Sequence, residues 1–155
     1  MTAKEYLSSV QILRDKIQRK SQRIMELYNQ ASGLKAISYD KISVQVSASD
    51  PLPDNVAKIL DAAHSLENDI TLYIKEINEV TEQIEDLAVD EKTRKYANIL
   101  YDRYINSLGL AEIAYKYGYH PDNIRHEHGR ALIAFAVKYN LDIKIQHKKA
   151  HNSTK

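Results

Sequence analysis

The chain has 155 residues, with 43% hydrophobic and 28% charged positions, which excludes a disordered chain and fits one or two domains. It has no Cys, which excludes a disulfide framework, a thiolate zinc site and a cysteine nucleophile; no apolar run approaches a membrane span, and the opening residues lack the apolar core of a signal sequence, so a cytoplasmic protein with no membrane partner is expected. A net charge of +1 conceals an asymmetry: residues 1–90 hold 10 Lys+Arg against 15 Asp+Glu, whereas residues 91–155 hold 12 against 6, and a basic C-terminal part points toward a polyanionic partner.

With 4 Gly and 3 Pro, little in the chain interrupts helices. Thr2 and Glu5 have capping-box spacing. Tyr6, Val10, Leu13, Ile17, Ile24, Leu27 and Ala31 then recur at steps of three and four, with Lys20 at the one polar position of the register. Gly33 is a natural stop, so the pattern predicts a helix from about Thr2 to Ser32. Residues 34–53 read as an extended linker, with Ile42, Val44 and Val46 alternating like a short strand and Asp50-Pro51-Leu52-Pro53 forming a rigid entry to the next element.

A second long helix is expected over 54–90, with a seam of Ala63, Leu66, Ile70, Tyr73, Ile77, Val80, Ile84 and Leu87. It carries two Lys against ten acids, while residues 2–31 carry six bases against three acids. Opposite charges and matching seams favour an antiparallel hairpin, the alternative being that each seam pairs with another chain. A homo-oligomer, with a dimer favoured, is expected through the remaining surface.

A third helix is expected over Glu91–Ser107, with Tyr96, Ile99, Leu100 and Tyr104 apolar. A short helix follows over Leu110–Tyr117, then a turn at Gly118-Tyr119, then a helix from Pro121 to about Tyr139. The tail from Asp142 is basic and His-rich and is expected to fray. The expected fold is therefore all-α: a helical hairpin or assembly region over 1–90, a helix-turn-helix domain over 91–141 and a basic tail over 142–155.

Residues 109–124 carry the functional signal. A two-turn helix, a Gly-containing turn and a second helix make the helix-turn-helix plan, with Ile113 in the core, Ala114 small at the crossing, Gly118 in the turn and Ile124 anchoring the second helix. The exposed face of that helix would enter a major groove of double-stranded DNA with its N-terminal residues foremost. Pro121, Asp122, Asn123, Arg125 and His126 lead this face. Asp122 is suited to a cytosine amino group, Asn123 to adenine and Arg125 to guanine. Lys116, Arg130 and the Lys148-Lys149 pair are the candidate phosphate contacts. Arg130 has a competing reading as a brace to Glu112 or Asp102, and Gly129 reads as a site of close helix packing.

Glu112-Ile113-Ala114, Gly118-Tyr119, Ile124 and Gly129-Arg130-Ala131-Leu132 resemble the domain by which bacterial sigma factors read the −35 promoter element. With the opening Thr2-Ala3-Lys4-Glu5-Tyr6-Leu7 and the long helix pair, the whole chain resembles the ArpU-like and RinA-like late-gene regulators of phages. His120 and Gly109 stand where that domain usually places Ser or Thr before its helices. The resemblance implies a transcriptional activator of phage late genes in a bacterial host cell, bound to double-stranded DNA and touching RNA polymerase. Two other readings stay open: a phage small terminase-like DNA-recognition subunit, and a protein-interaction module whose helix-turn-helix does not bind DNA.

Enzymatic readings find little support. His126 and His128 are two apart on a helix and point in different directions, so they do not share a metal; His147 and His151 are four apart but lie in the tail. No Gly-rich phosphate loop or Gly-x-Ser-x-Gly elbow occurs. Glu76, Glu79, Glu82, Glu85 and Asp86 read as a solvated face, and His64 and His128 as packed-boundary residues. The expectation is a non-enzyme with no cofactor and no metal.

Overall fold

The computed structural model describes residues 1–40 and 54–143. Those residues form an all-α fold: α1 (Ala3–Asp40), α2 (Asp54–Glu85), α3 (Glu91–Leu100), a π-helical segment (Tyr101–Ile105), α4 (Leu110–Tyr117) and α5 (Pro121–Lys138). None of these helices is long and apolar enough to cross a membrane. Two compact units are present, Met1–Gln11 with Val80–Lys155, and Ile12–Glu79. The division falls inside both long helices and not near residue 90. The expected strand at Ile42, Val44 and Val46, the Pro51-Pro53 entry and most of the basic tail lie outside the described residues.

In the Ile12–Glu79 unit the two seams supply the buried positions: Leu13, Leu27 and Ala31 from α1, Val56 and Ala63 from α2. The polar position of the first seam has a partner. Lys20 Nζ donates to Asp69 Oδ2 at 2.9 Å, and the Lys16 and Lys20 ammonium groups lie 5.6 and 5.8 Å from the centre of the Tyr73 ring. Tyr28 Oη donates to Glu67 Oε1 at 2.8 Å. Partners late in α1 thus meet residues earlier in α2, the order of antiparallel neighbours. The Lys20–Asp69 pair joins the two helices at positions open to water, with side chains 25% and 44% exposed, so it adds little to the stability that the apolar seams supply. His64 is exposed beside Glu67, at 3.2 Å, and not at a packed boundary as its sequence context implies.

Gly33 does not end α1, which continues to Asp40. A glycine stop works by adopting positive φ, and Gly118 alone among the described glycines does so. After Gly33 come Leu34, Lys35 and Ala36 with no proline. Each added residue gains a backbone hydrogen bond, which offsets the roughly 1 kcal/mol cost of a helical glycine.

In the other unit, the first turns of α1 belong with the C-terminal helices. Thr2 and Glu5 form the expected reciprocal cap: Thr2 N donates to Glu5 Oε2 at 2.8 Å and Glu5 N to Thr2 Oγ1 at 3.3 Å. Leu7 and Val10 are fully buried, Tyr6 Oη donates to Gln83 Oε1 at 2.8 Å, and the Tyr6 ring stacks on Phe135 with centroids 6.1 Å apart. Tyr139 Oη, just past α5, donates to the Gln83 backbone carbonyl at 2.9 Å. These contacts place the end of α2 with α5.

α2 stops at Glu85, short of the expected residue 90, because the next helix has a strong start. Asp90 Oδ1 accepts from Thr93 N at 2.8 Å, and Thr93 Oγ1 accepts from Asp90 N at 3.0 Å. The Thr93 backbone N–H, and then its hydroxyl, donate to the Asp90 carboxyl and hold it below its usual pKa. Leu87, between the helices, is buried, and Lys138 Nζ donates to the Asp86 carbonyl.

Candidate nucleic-acid interface

The segment from Glu91 to Asn106 does not form one uniform helix. After Leu100 the backbone widens to a π turn, closed by Asn106 N donating to the Tyr101 carbonyl at 3.0 Å, and Ser107 then turns the chain with φ of 58°. The widening rotates Asp102 inward, where its side chain is 3% exposed. Four hydrogen bonds meet it there: Tyr117 Oη at 2.6 Å, Asn106 Nδ2 at 2.8 Å, and Lys116 Nζ at 2.9 and 3.0 Å to the two carboxylate oxygens. Burial pushes the Asp102 carboxyl up, but the Tyr117, Lys116 and Asn106 donors together hold it below the ordinary aspartate value. The bond to Asp102 raises the Lys116 ammonium in turn. α4 is thereby tied to the preceding helix by the Lys116 ion pair and one neutral donor, Tyr117, while Asn106 braces the carboxylate from its own segment.

α4 has the bounds expected from its sequence. Its first turn is capped from within, Gly109 N donating to Glu112 Oε2 at 2.6 Å. It ends at Gly118, whose φ of 71° is the left-handed conformation that only glycine adopts cheaply. Tyr119 N reaches back to the Ala114 carbonyl at 2.8 Å, the long bond of a glycine-terminated helix. α5 then begins at Pro121. His120, standing where Ser or Thr is usual, does cap it: its Nδ1 accepts from Asp122 N at 3.3 Å. Ile113, Ala114 and Ile124 are buried together with Ile99 of α3, with Leu108, Leu110 and Tyr119 packed around them. The residues expected to lock the helix pair therefore form one core.

The expected DNA-facing residues separate into groups. Pro121, Asp122, Asn123, Arg125 and His126 are all exposed on the first two turns of α5. Among the described residues, the side chains of Asn123, Arg125 and His126 have no hydrogen bond or ion pair, and Asp122 has a loose contact to His120 at 3.7 Å. Lys116 is different. Although its side chain is 49% exposed, its charge is committed to Asp102, so it is not a free phosphate contact. Arg130 is exposed and braced, but by neither expected acid: its Nη1 donates to Glu127 Oε1 at 2.8 Å. Lys148 and Lys149 lie outside the described residues.

Two further features were not visible in sequence. A cleft of about 280 Å³ opens beside α5, lined by Lys95, Tyr119, Asn123, His126, Glu127 and Arg130. Lys95 reaches it from α3, thirty-two residues before Glu127, and no local spacing announces that meeting. Behind α5, His128 lies 3.1 Å from Tyr104 Oη with the rings stacked. Burial, then the charges of Arg103 and Lys4, lower the His128 pKa to about 4, and burial pushes Tyr104 up to about 12. Gly129 makes no close approach: a Cβ there would meet nothing within 4 Å.

No family model, curated protein or solved structure matches this chain.

Proposed function

We propose that the protein is a sequence-specific DNA-binding regulator of transcription that docks α5 in the major groove. One observation carries the reading: α4, the left-handed turn at Gly118 and α5 are locked by Ile113, Ala114 and Ile124, while Asn123, Arg125 and His126 are exposed and, among the described residues, have no hydrogen-bond partner. Exposed polar side chains on the leading turns of a helix locked against its neighbour have the arrangement that base-edge recognition requires. The long helix pair, joined by its apolar seams and the Lys20–Asp69 ion pair, is an assembly element in this reading, serving a homodimer. The resemblance to phage late-gene regulators extends the proposal to activation through contact with RNA polymerase.

A second reading, a protein-binding module, draws on two observations. Lys116 is withdrawn into an ion pair, and Tyr115 on α4 is 91% exposed, a large aromatic surface open to solvent. Binding of the full-length protein to a fluorescent duplex of random sequence separates the two. The DNA reading expects binding at low salt that weakens steeply as salt rises, because each neutralised phosphate releases counterions. Absence of binding at low salt, with the protein folded, overturns it in favour of the protein-binding module.

A further inference from the structure

The cleft beside α5 has a construction that goes beyond an exposed recognition face. Glu127 is the middle of a three-charge chain. Its Oε1 takes Arg130 Nη1 at 2.8 Å and its Oε2 lies 3.4 Å from Lys95 Nζ. The Glu127 side chain is 16% exposed, whereas Arg130 is largely in solvent. A mostly buried acid thus holds two cations, from two different helices, at the wall of an open cleft. The Lys95 ammonium also sits 4.7 Å from the centre of the Tyr119 ring, which fixes it from a second side.

The charges do not cancel. Two cations share one carboxylate, leaving one positive charge. An ammonium has three N–H donors and a guanidinium five, so each keeps donors to spare after bonding Glu127. Asn123, in the first turn of α5, lines the same cleft and adds an amide donor where the helix N-terminus favours anions. The volume of about 280 Å³ is far more than the roughly 30 Å³ of one water, so an anion fits with part of its hydration shell. Asn123, His126, Glu127 and Arg130 follow each other at i, i+3, i+4 and i+7, one face of α5. That face shares Asn123 and His126 with the residues proposed to read bases, and Arg125 lies beside it.

We infer that this cleft seats a backbone phosphate of the bound duplex, gripped by Lys95 of α3 and Arg130 of α5, with Glu127 as the positioning residue that holds both. The inference rests on the DNA-binding reading and deepens it. It makes α3 part of the DNA interface and sets the depth at which α5 enters the groove, since a phosphate pinned at Arg130 limits how far the helix slides along its axis.

The test is the salt dependence of duplex binding by the full-length protein, measured by fluorescence anisotropy between 50 and 200 mM salt. Loss of one phosphate contact lowers the log–log slope by about 0.9. Lys95→Gln is expected to show that decrease and to weaken binding to all duplexes alike. Lys95→Arg, which keeps a cation, is expected to retain the wild-type slope. An unchanged slope in Lys95→Gln, with wild type still binding DNA, overturns the phosphate seat and leaves the DNA-binding reading standing. Equal slope losses in both variants also overturn it, as they assign Lys95 a structural role. Failure of wild type to bind any duplex overturns both. An independent check needs no variant: reductive methylation of the wild-type protein, read by mass spectrometry, is expected to be blocked at Lys95 by bound duplex, and undiminished labelling contradicts the seat.

Discussion

Removing one side of the Asp102–Lys116 pair is expected to destabilise the C-terminal helices unequally, and the side removed decides how. The Asp102 side chain is 3% exposed and the Lys116 side chain 49% exposed. In Asp102→Ala, the ammonium that loses its partner turns to water, and the cost is mainly the lost hydrogen bonds. One charged and two neutral bonds, discounted for the exposure of Lys116, amount to about 2–4 kcal/mol. In Lys116→Met, the carboxylate stays buried with neutral donors only. A buried carboxylate that keeps only the Tyr117 and Asn106 donors is expected to cost stability at neutral pH, where it is charged. The two variants also differ in pH dependence. In the wild type the Asp102 pKa lies below its unfolded value, so its contribution is present above the unfolded pKa and is lost as pH falls through the folded one. Without Lys116, its hydrogen bond and its charge no longer lower the carboxyl, so the pKa rises from its wild-type position. The carboxyl then takes a proton more readily in the folded state, and the Lys116→Met deficit shrinks as pH falls from 7 toward 4. Urea unfolding followed by circular dichroism, with hydrogen exchange of the α4 amides as a local readout, measures both. Asp102→Ala within 0.5 kcal/mol of wild type, on the scale of about ±0.5 kcal/mol for surface changes, refutes the hub. A Lys116→Met deficit independent of pH refutes the electrostatic argument.

Other consequences are testable in the same way. Gly118→Ala forces a Cβ into the left-handed turn at φ of 71° and is expected to cost about 1–2 kcal/mol by thermal unfolding; no loss contradicts the turn geometry. Gly129→Ala is expected to stabilise by about 0.5–1 kcal/mol, since the helix interior has room for the methyl group; a loss of stability would show close packing after all. His128 stays neutral in the folded protein down to about 4, so the unfolded chain takes up its proton first. Stability should therefore fall as pH drops from about 6.5 to 4, by at most about 3 kcal/mol, and His128→Gln should flatten that slope in pH-dependent melts.

Much of the fold was legible because its signals are local. The three-and-four steps of Tyr6 to Ala31 and of Ala63 to Leu87 marked two helix seams, and Pro121 and Gly118 bounded the short helices that their chemistry predicts. Gly33 misled because a glycine stops a helix only where the chain turns left-handed, and nothing after it compels that turn. The end of α2 was missed because Asp90 and Thr93 compete for it through a cap rather than through apolar periodicity. The candidate interface was partly legible: the exposed residues of α5 follow from the burial of Ile124. Lys116 looked free because its partner Asp102 faces inward only after a π turn, which apolar spacing does not encode. Lys95 was invisible for a related reason. Its meeting with Glu127 depends on how α3 and α5 pack, and sequence distance hides it.

The central claim, that α5 reads DNA sequence, is tested most directly by in vitro selection of random duplexes on the full-length protein near physiological salt, run in parallel with Arg125→Ala. The account predicts an enriched motif for wild type and an altered preference at one position of that motif for Arg125→Ala, since phosphate contacts alone give no sequence information. Absence of enrichment from wild type, or an identical motif from the variant with uniformly weaker binding, would contradict base reading by this helix.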